Sequence, residues 1–270
     1  MPVVPGAEPF HFRGADDGSV GAVLCHGFTG TTSSIRPWGE ALSAAGIEVV
    51  GPRLPGHGTS WQEANRTRWP DWYGEIERAF DQLHERCRTV LVMGLSMGGT
   101  LTLRIAEERA DDVAGIVLVN PSLLTLRREA ALLPVVSKVL RSYPPIAGDI
   151  KKQGVLETGY DRMPLAAMAS LQQLWRVTRT DLARITAPVL LFRSAEDHVV
   201  EPASSVALIS GATATTVTER VLHESYHVAT LDNDAPQIFA ESIDFVRTVA
   251  AGSGAQQAGS GPGADGSARP

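Results

Sequence analysis

Six residues, Gly94-Leu-Ser-Met-Gly-Gly99, stand between an unbroken apolar run at 89–93 and a helical run at 100–109. An apolar run without polar alternation reads as a strand covered on both faces. A chain that leaves such a strand and enters a helix within a few residues must turn sharply. Glycines two positions either side of Ser96 give strand and helix the room to approach one another. The serine at the apex is then held in a strained conformation, with its hydroxyl projecting above the sheet. The helix N-terminus lies beneath it and favours developing negative charge. A glycine-rich turn with an incidental serine would need neither flank.

The rest of the chain repeats this alternation. Residues 20–25, 47–50, 115–119, 188–192 and 216–222 read as further strands, with helical runs between them. From Pro70 onward, Trp72, Ile76, Ala79, Phe80 and Leu83 recur at helical spacing and give one apolar face. Such an order implies an α/β fold around a mostly parallel sheet. One interval breaks the rhythm: residues 121–187 separate two strands that a crossover of about a dozen residues could join. The surplus carries Leu123, Leu126, Leu132, Leu133, Val136 and Leu140, more apolar surface than a loop requires. A helical cap over residues 121–187 is therefore expected on a core formed by 1–120 and 188–249. Residues 250–270 are Gly, Ala, Ser and Gln with almost no large apolar side chain, and are expected to lack fixed structure.

Composition narrows the function classes. Lys and Arg number 24 against 30 Asp and Glu, a net charge of −6, which argues against nucleic acid or an anionic membrane surface as the main partner. No apolar run approaches the ~18 residues that span a bilayer, so no stable membrane insertion is expected. The first residues lack the basic-then-apolar pattern of a secretory leader, which makes the cytoplasm the expected compartment. The two cysteines, Cys25 and Cys87, exclude a disulfide scaffold or a cysteine metal site, and no motif calls for a metal or cofactor.

A serine hydroxyl is a poor nucleophile without a base, so an acid should follow a later strand and a histidine the last one. Asp197, in the loop beyond 188–192, is the favoured acid, with its neighbour Glu196 as competitor. His227, after 216–222 and before the final helix, is the favoured base, with His223 next and His198 beside Asp197. A tetrahedral intermediate needs two backbone N–H donors. Met97, after the serine, is one; Phe28, in the loop His26-Gly-Phe-Thr-Gly30, is the other. His26 and His57 read as structural hydrogen-bonding groups.

Together with Arg53-Leu-Pro-Gly-His-Gly58, Asp197-His-Val-Val-Glu-Pro202 and Ser225-Tyr-His-Val-Ala-Thr-Leu-Asp232, these blocks resemble the serine α/β-hydrolases. Bacterial carboxylesterases and monoacylglycerol lipases with a small cap are the nearest likeness, and it spans residues 20–248. It implies an α/β-hydrolase fold, with Ser96 as nucleophile, His227 as base, Asp197 as its orienter, and Phe28 and Met97 as oxyanion donors. The stretch from Gly148-Asp-Ile-Lys-Lys152 to Tyr160 is similar to the cap of those lipases. The likeness implies a carboxylate, Glu157, meeting a glycerol head group, with Ile146 as a further substrate contact. The expected partner is a small acyl ester, foremost a monoacylglycerol, cleaved through an acyl-enzyme without metal or cofactor. A general short- or medium-chain carboxylesterase, a thioesterase or acyltransferase, and a non-catalytic ligand-binding module on the same scaffold stand as alternatives.

Overall fold

The computed structural model describes residues 2–15, 19–145 and 148–259. Its strands, in chain order, are β1 (Phe10–Phe12), β2 (Val20–Cys25), β3 (Glu48–Gly51), β4 (Thr89–Leu95) and β5 (Gly115–Val119). Next come a short pair, β6 (Ser142–Tyr143) and β7 (Met163–Pro164), and then β8 (Val189–Ser194) and β9 (Val217–Leu222). The helices are α1 (Arg36–Ala44), α2 (Trp61–Ala64), α3 (Trp69–His84) and α4 (Met97–Glu108), followed by α5 (Leu133–Val136), α6 (Leu165–Asp181), α7 (Ala203–Gly211) and α8 (Ala235–Gly259). Seven strands form one sheet in the order β1-β3-β2-β4-β5-β8-β9. All pairings are parallel except that of β1, which runs antiparallel along β3. The fold is that of an α/β-hydrolase.

The sheet explains why its strands read as continuous apolar runs. Alternate residues of β4 serve different cores: Val90 and Val92 pack with Trp72 and Phe80 of α3 and Leu101 of α4. Leu91 and Met93 pack with Trp38 and Leu42 of α1 and Ile238 and Val246 of α8. With both faces covered, no position is left for a polar residue. On α3 the five residues expected to form its apolar face are all buried. The helix starts where Pro70 occupies the first turn and the Arg68 N–H donates to Asp71 Oδ2 at 2.8 Å.

Three findings differ from the sequence expectations. Helix α6, expected inside the cap, buries Ala167, Leu171, Leu174 and Trp175 in the same core as α3 and α4, so it is the crossover helix to β8. What covers the carboxyl ends of the strands is the segment from about 123 to 164: a 3₁₀ turn (Arg128–Leu132), α5 and the β6–β7 ribbon. This cap shows apolar side chains to the outside, with Val139 82% and Leu156 89% exposed. The second difference is at the C-terminus, where α8 runs to Gly259 through residues expected to lack structure. Extending an established helix costs far less than starting one, and Ala250, Ala251, Ala255, Gln256 and Gln257 are good helix formers. The third is β1, whose three residues are too short a run to show a period. Ile146 and residues 260–270 lie outside the described residues.

Candidate active site

The turn at Ser96 is as sharp as its glycines suggest. A Cβ on Gly94 would fall 2.3 Å from the Gly98 carbonyl carbon, and one on Gly98 would fall 2.1 Å from the Cys25 carbonyl oxygen. Neither position admits a side chain. Ser96 itself has φ 57° and ψ −117°, a conformation L-residues rarely adopt, and its N–H is tied to the Val119 carbonyl at 2.9 Å. The hydroxyl is thus fixed at the top of β4, 8% exposed, over the first turn of α4.

The two strands beyond β5 supply its partners. β8 and β9 are neighbours in the sheet, so the loops leaving their carboxyl ends meet although 30 residues separate Asp197 from His227. The Asp197 Oδ1 accepts the N–H groups of Val199 and Val200, each at 2.8 Å. Its Oδ2 accepts from His227 Nδ1 at 2.8 Å. With Nδ1 donating, the neutral ring turns its Nε2 lone pair to Ser96 Oγ, 2.9 Å away. Burial acts to raise the Asp197 carboxyl, but the facing imidazole and the two backbone N–H groups outweigh it and hold the group below the ordinary carboxylate range. Burial acts to lower the His227 imidazole, but Asp197, with Glu157 and Asp149 further off, outweighs it and holds the ring above its ordinary value. Glu196 points elsewhere, to His198 Nε2 at 3.4 Å.

The loop after β2 closes the other side. Gly27 lies against Ser96, close enough that a Cβ there would sit 3.3 Å from the serine Cβ. The N–H groups of Phe28 and Met97 have no hydrogen-bond partner among the described residues, which leaves two donors beside the hydroxyl. His26 accepts the Leu54 N–H on Nε2 at 3.2 Å, and burial pushes its pKa down to about 4. It is a neutral hydrogen-bonding group under the loop. His57, equally buried, is pushed down to about 3 and packs its ring edge against Trp72.

Ser96 and His227 open onto a cavity of about 400 Å³ lined by Leu132, Leu133, Val136 and Tyr143 of the cap and Met168 and Trp175 of α6. Trp175 donates to Ser122 Oγ at 3.1 Å, which sets the cavity's inner wall. The carboxylate Glu157 reaches the same cavity from the cap, where its Oε2 accepts the Gly148 N–H at 3.2 Å, and burial acts to raise its pKa. Among the described residues no group of His, Cys, Asp and Glu has the make-up of a metal site.

Three polar residues that hold this site together were not legible beforehand. Asn120, at the end of β5 with φ 45°, donates to the His227 carbonyl at 2.8 Å and accepts the Ser194 N–H at 2.8 Å. Asp232 accepts four backbone N–H groups, those of Lys151, Lys152, Tyr226 and Asn233, and so fastens the stem of the cap to the histidine loop. Asp149 lies between the two catalytic-side loops. Only a polar residue at the carboxyl end of a buried strand hinted at Asn120; the two aspartates depend on partners about 80 residues away.

A family model described as serine aminopeptidase, S33, matches residues 20–234. The chain is 42% identical over 244 residues to a thermostable monoacylglycerol lipase of Bacillus sp. (strain H-257), covering 90% of this chain and 96% of that protein. It is 25% identical over 241 residues to a carboxylesterase of Bacillus subtilis (strain 168), covering 88% and 96%. Among solved structures, one described as "LipS and LipT, two metagenome-derived lipolytic enzymes" superposes with a TM-score of 0.87 at 37% identity, over 92% of this chain and 100% of that one. Kinship over most of its length, on a fold with serine, aspartate and histidine in that chain order, means that the chain belongs to the S33 serine hydrolase family of α/β-hydrolases.

Proposed function

We propose that this protein hydrolyses fatty-acyl esters, with monoacylglycerols as its substrate class, through an acyl-enzyme on Ser96. The observation that carries the reading is the continuous line Asp197–His227–Ser96 opening onto a mostly apolar cavity whose lining includes the buried carboxylate of Glu157. His227 Nε2 takes the Ser96 proton as Oγ attacks the ester carbonyl carbon. The N–H groups of Phe28 and Met97 donate to the carbonyl oxygen as negative charge builds on it. Collapse of the intermediate breaks the bond to the alcohol, which leaves with the proton from His227. Water, deprotonated by the same ring, then releases the acid and restores the serine.

The apolar walls suit an acyl chain, and Glu157 suits the two free hydroxyls of a glycerol monoester. The 42%-identical relative is named as a monoacylglycerol lipase, which supports the same head-group reading. Ile146 stays a proposed substrate contact. The test is kcat/KM on medium- and long-chain 1-monoacylglycerols against alkyl esters of the same acids, with Ser96→Ala as blank. A preference for the glycerol esters that falls about tenfold in Glu157→Gln is expected, the loss of a buried hydrogen bond to a charged group. Equal rates on both classes would leave a general carboxylesterase. Faster cleavage of aminoacyl anilides than of either ester would turn the assignment to the peptidase activity in the family's description.

A further inference from the structure

The cap and the two catalytic-side loops meet at one carboxylate. Asp149 Oδ2 accepts the N–H of His198, next to Asp197, at 3.1 Å and the N–H of His227 at 3.2 Å. Its Oδ1 accepts from the His198 ring Nδ1 at 2.8 Å, and its own carbonyl accepts the Val228 N–H at 3.1 Å. The residue before it, Gly148, donates its N–H to Glu157. A single side chain therefore joins the loop after β8, the loop after β9 and the cap stem that carries the head-group carboxylate.

We infer that Asp149 is a positioning residue for the reaction: it straps the Asp197 loop to the His227 loop and couples both to the cap segment that meets the substrate head group. The inference rests on reading Ser96, His227 and Asp197 as the reacting set. A misplacement of the imidazole by about 1 Å is worth about a hundredfold in rate, so a strap on its backbone N–H has consequences for kcat. The same carboxylate also acts on the ring through space. Toward His227 face Ser96 from the turn after β4, Asp197 from the β8 loop, and Glu157 and Asp149 from the cap stem; all three carboxylates favour its protonated form. Farther out lie His198, paired with Glu196 and packed edge-on to Tyr226, Lys151 above that tyrosine, and Arg127 on the His198 carbonyl.

Two substitutions separate the roles. Asp149→Asn keeps an acceptor for the two N–H groups and removes the charge; Asp149→Ala removes both. With a short-chain p-nitrophenyl ester, Asp149→Ala is expected to lower the plateau of kcat about tenfold to a hundredfold with KM nearly unchanged. Asp149→Asn is expected to recover that plateau to within about threefold and to move the acidic limb of kcat/KM to lower pH, since one charge favouring His227 protonation is gone. His198→Gln, which removes the ring and its bond to Asp149 Oδ1 but leaves the backbone N–H on Oδ2, is expected to keep the plateau. A wild-type plateau in Asp149→Ala overturns the inference. So does an Asp149→Asn enzyme whose acidic limb stays at the wild-type position, and that reading stands even if the alanine variant does not fold. A loss in His198→Gln as large as in Asp149→Ala overturns it too, because the exposed ring would then be the positioning group. Failure of the underlying reading looks different: wild-type protein would not label with a fluorophosphonate at Ser96, or Ser96→Ala would keep its activity.

Discussion

Helix α4 carries buried ionisable chemistry at both ends, and the two ends are solved differently. At its N-terminus the ionisable pair beside Ser96 is matched: Asp197 has the imidazole and two backbone N–H groups, and His227 has Asp197 and the serine. At its C-terminus one cation, Arg104, faces three carboxylates: Glu107 at 3.0 Å, Glu108, and Asp181 of α6 at 2.7 Å. Glu107 is 1% exposed, and one of its oxygens and the Arg104 Nε lack a partner. Burial, outweighing Arg104, pushes Glu107 up to about 8. The negative end of the helix dipole adds to the strain there, whereas the positive end favours an oxyanion over Ser96. The difference teaches that burial alone does not make a site. The Ser96 end pairs Asp197 with His227 and leaves the Phe28 and Met97 N–H groups open; the other end leaves a carboxylate oxygen of Glu107 and the Nε of Arg104 without partners.

The comparison can be broken at either end. Ser96→Ala is expected to lower kcat on esters by at least ~10⁴-fold with the fold intact. Ser96→Gly should be as inactive yet more stable by about 1 kcal/mol in urea unfolding, because only glycine adopts this φ without strain. An unchanged midpoint would mean the elbow stores no strain. Asp197→Asn should cost on the order of 10⁴-fold in kcat by favouring the wrong tautomer of His227, and Glu196→Gln almost nothing. At the far end, folded Glu107 holds its proton up to about pH 8, while the unfolded chain releases it near the ordinary carboxylate value. Stability should therefore fall as pH rises between those two values, by roughly 1 to 3 kcal/mol, and Glu107→Gln should flatten that decline in a series of melting curves from pH 5 to 9. The smallest effect is in the pH profile: the acidic limb of kcat/KM should lie above the ~6.5 of a free imidazole, since the wild-type ring is held above that value. A limb at or below it would mean that burial outweighs Asp197.

What could be read from the chain is what short-range physics encodes. The strands were legible because both faces of β2, β4, β5 and β8 are covered, which removes polar alternation. The elbow was legible because only glycine fits at 94 and 98. Chain order then pointed to Asp197 and His227, which the sheet brings into one hydrogen-bonded line with Ser96. Glu157 was reached through resemblance alone. Asp149 lay inside a stretch already singled out, but nothing local marks an aspartate whose acceptors face residues 49 and 78 positions away. The boundary of the cap was missed for a related reason: α6 has an apolar face like any cap helix, and only its packing with α3 and α4 reveals it as part of the core.

The four N–H groups gathered on Asp232 draw a line for anyone who would graft a foreign cap onto this scaffold. Because they anchor Lys151 and Lys152 to the loop of His227, residues 148–152 travel with the core rather than with the exchangeable arm. A splice placed ahead of Gly148 hands the recipient its histidine loop already braced; one placed after Lys152 transplants the arm and leaves the base unsupported.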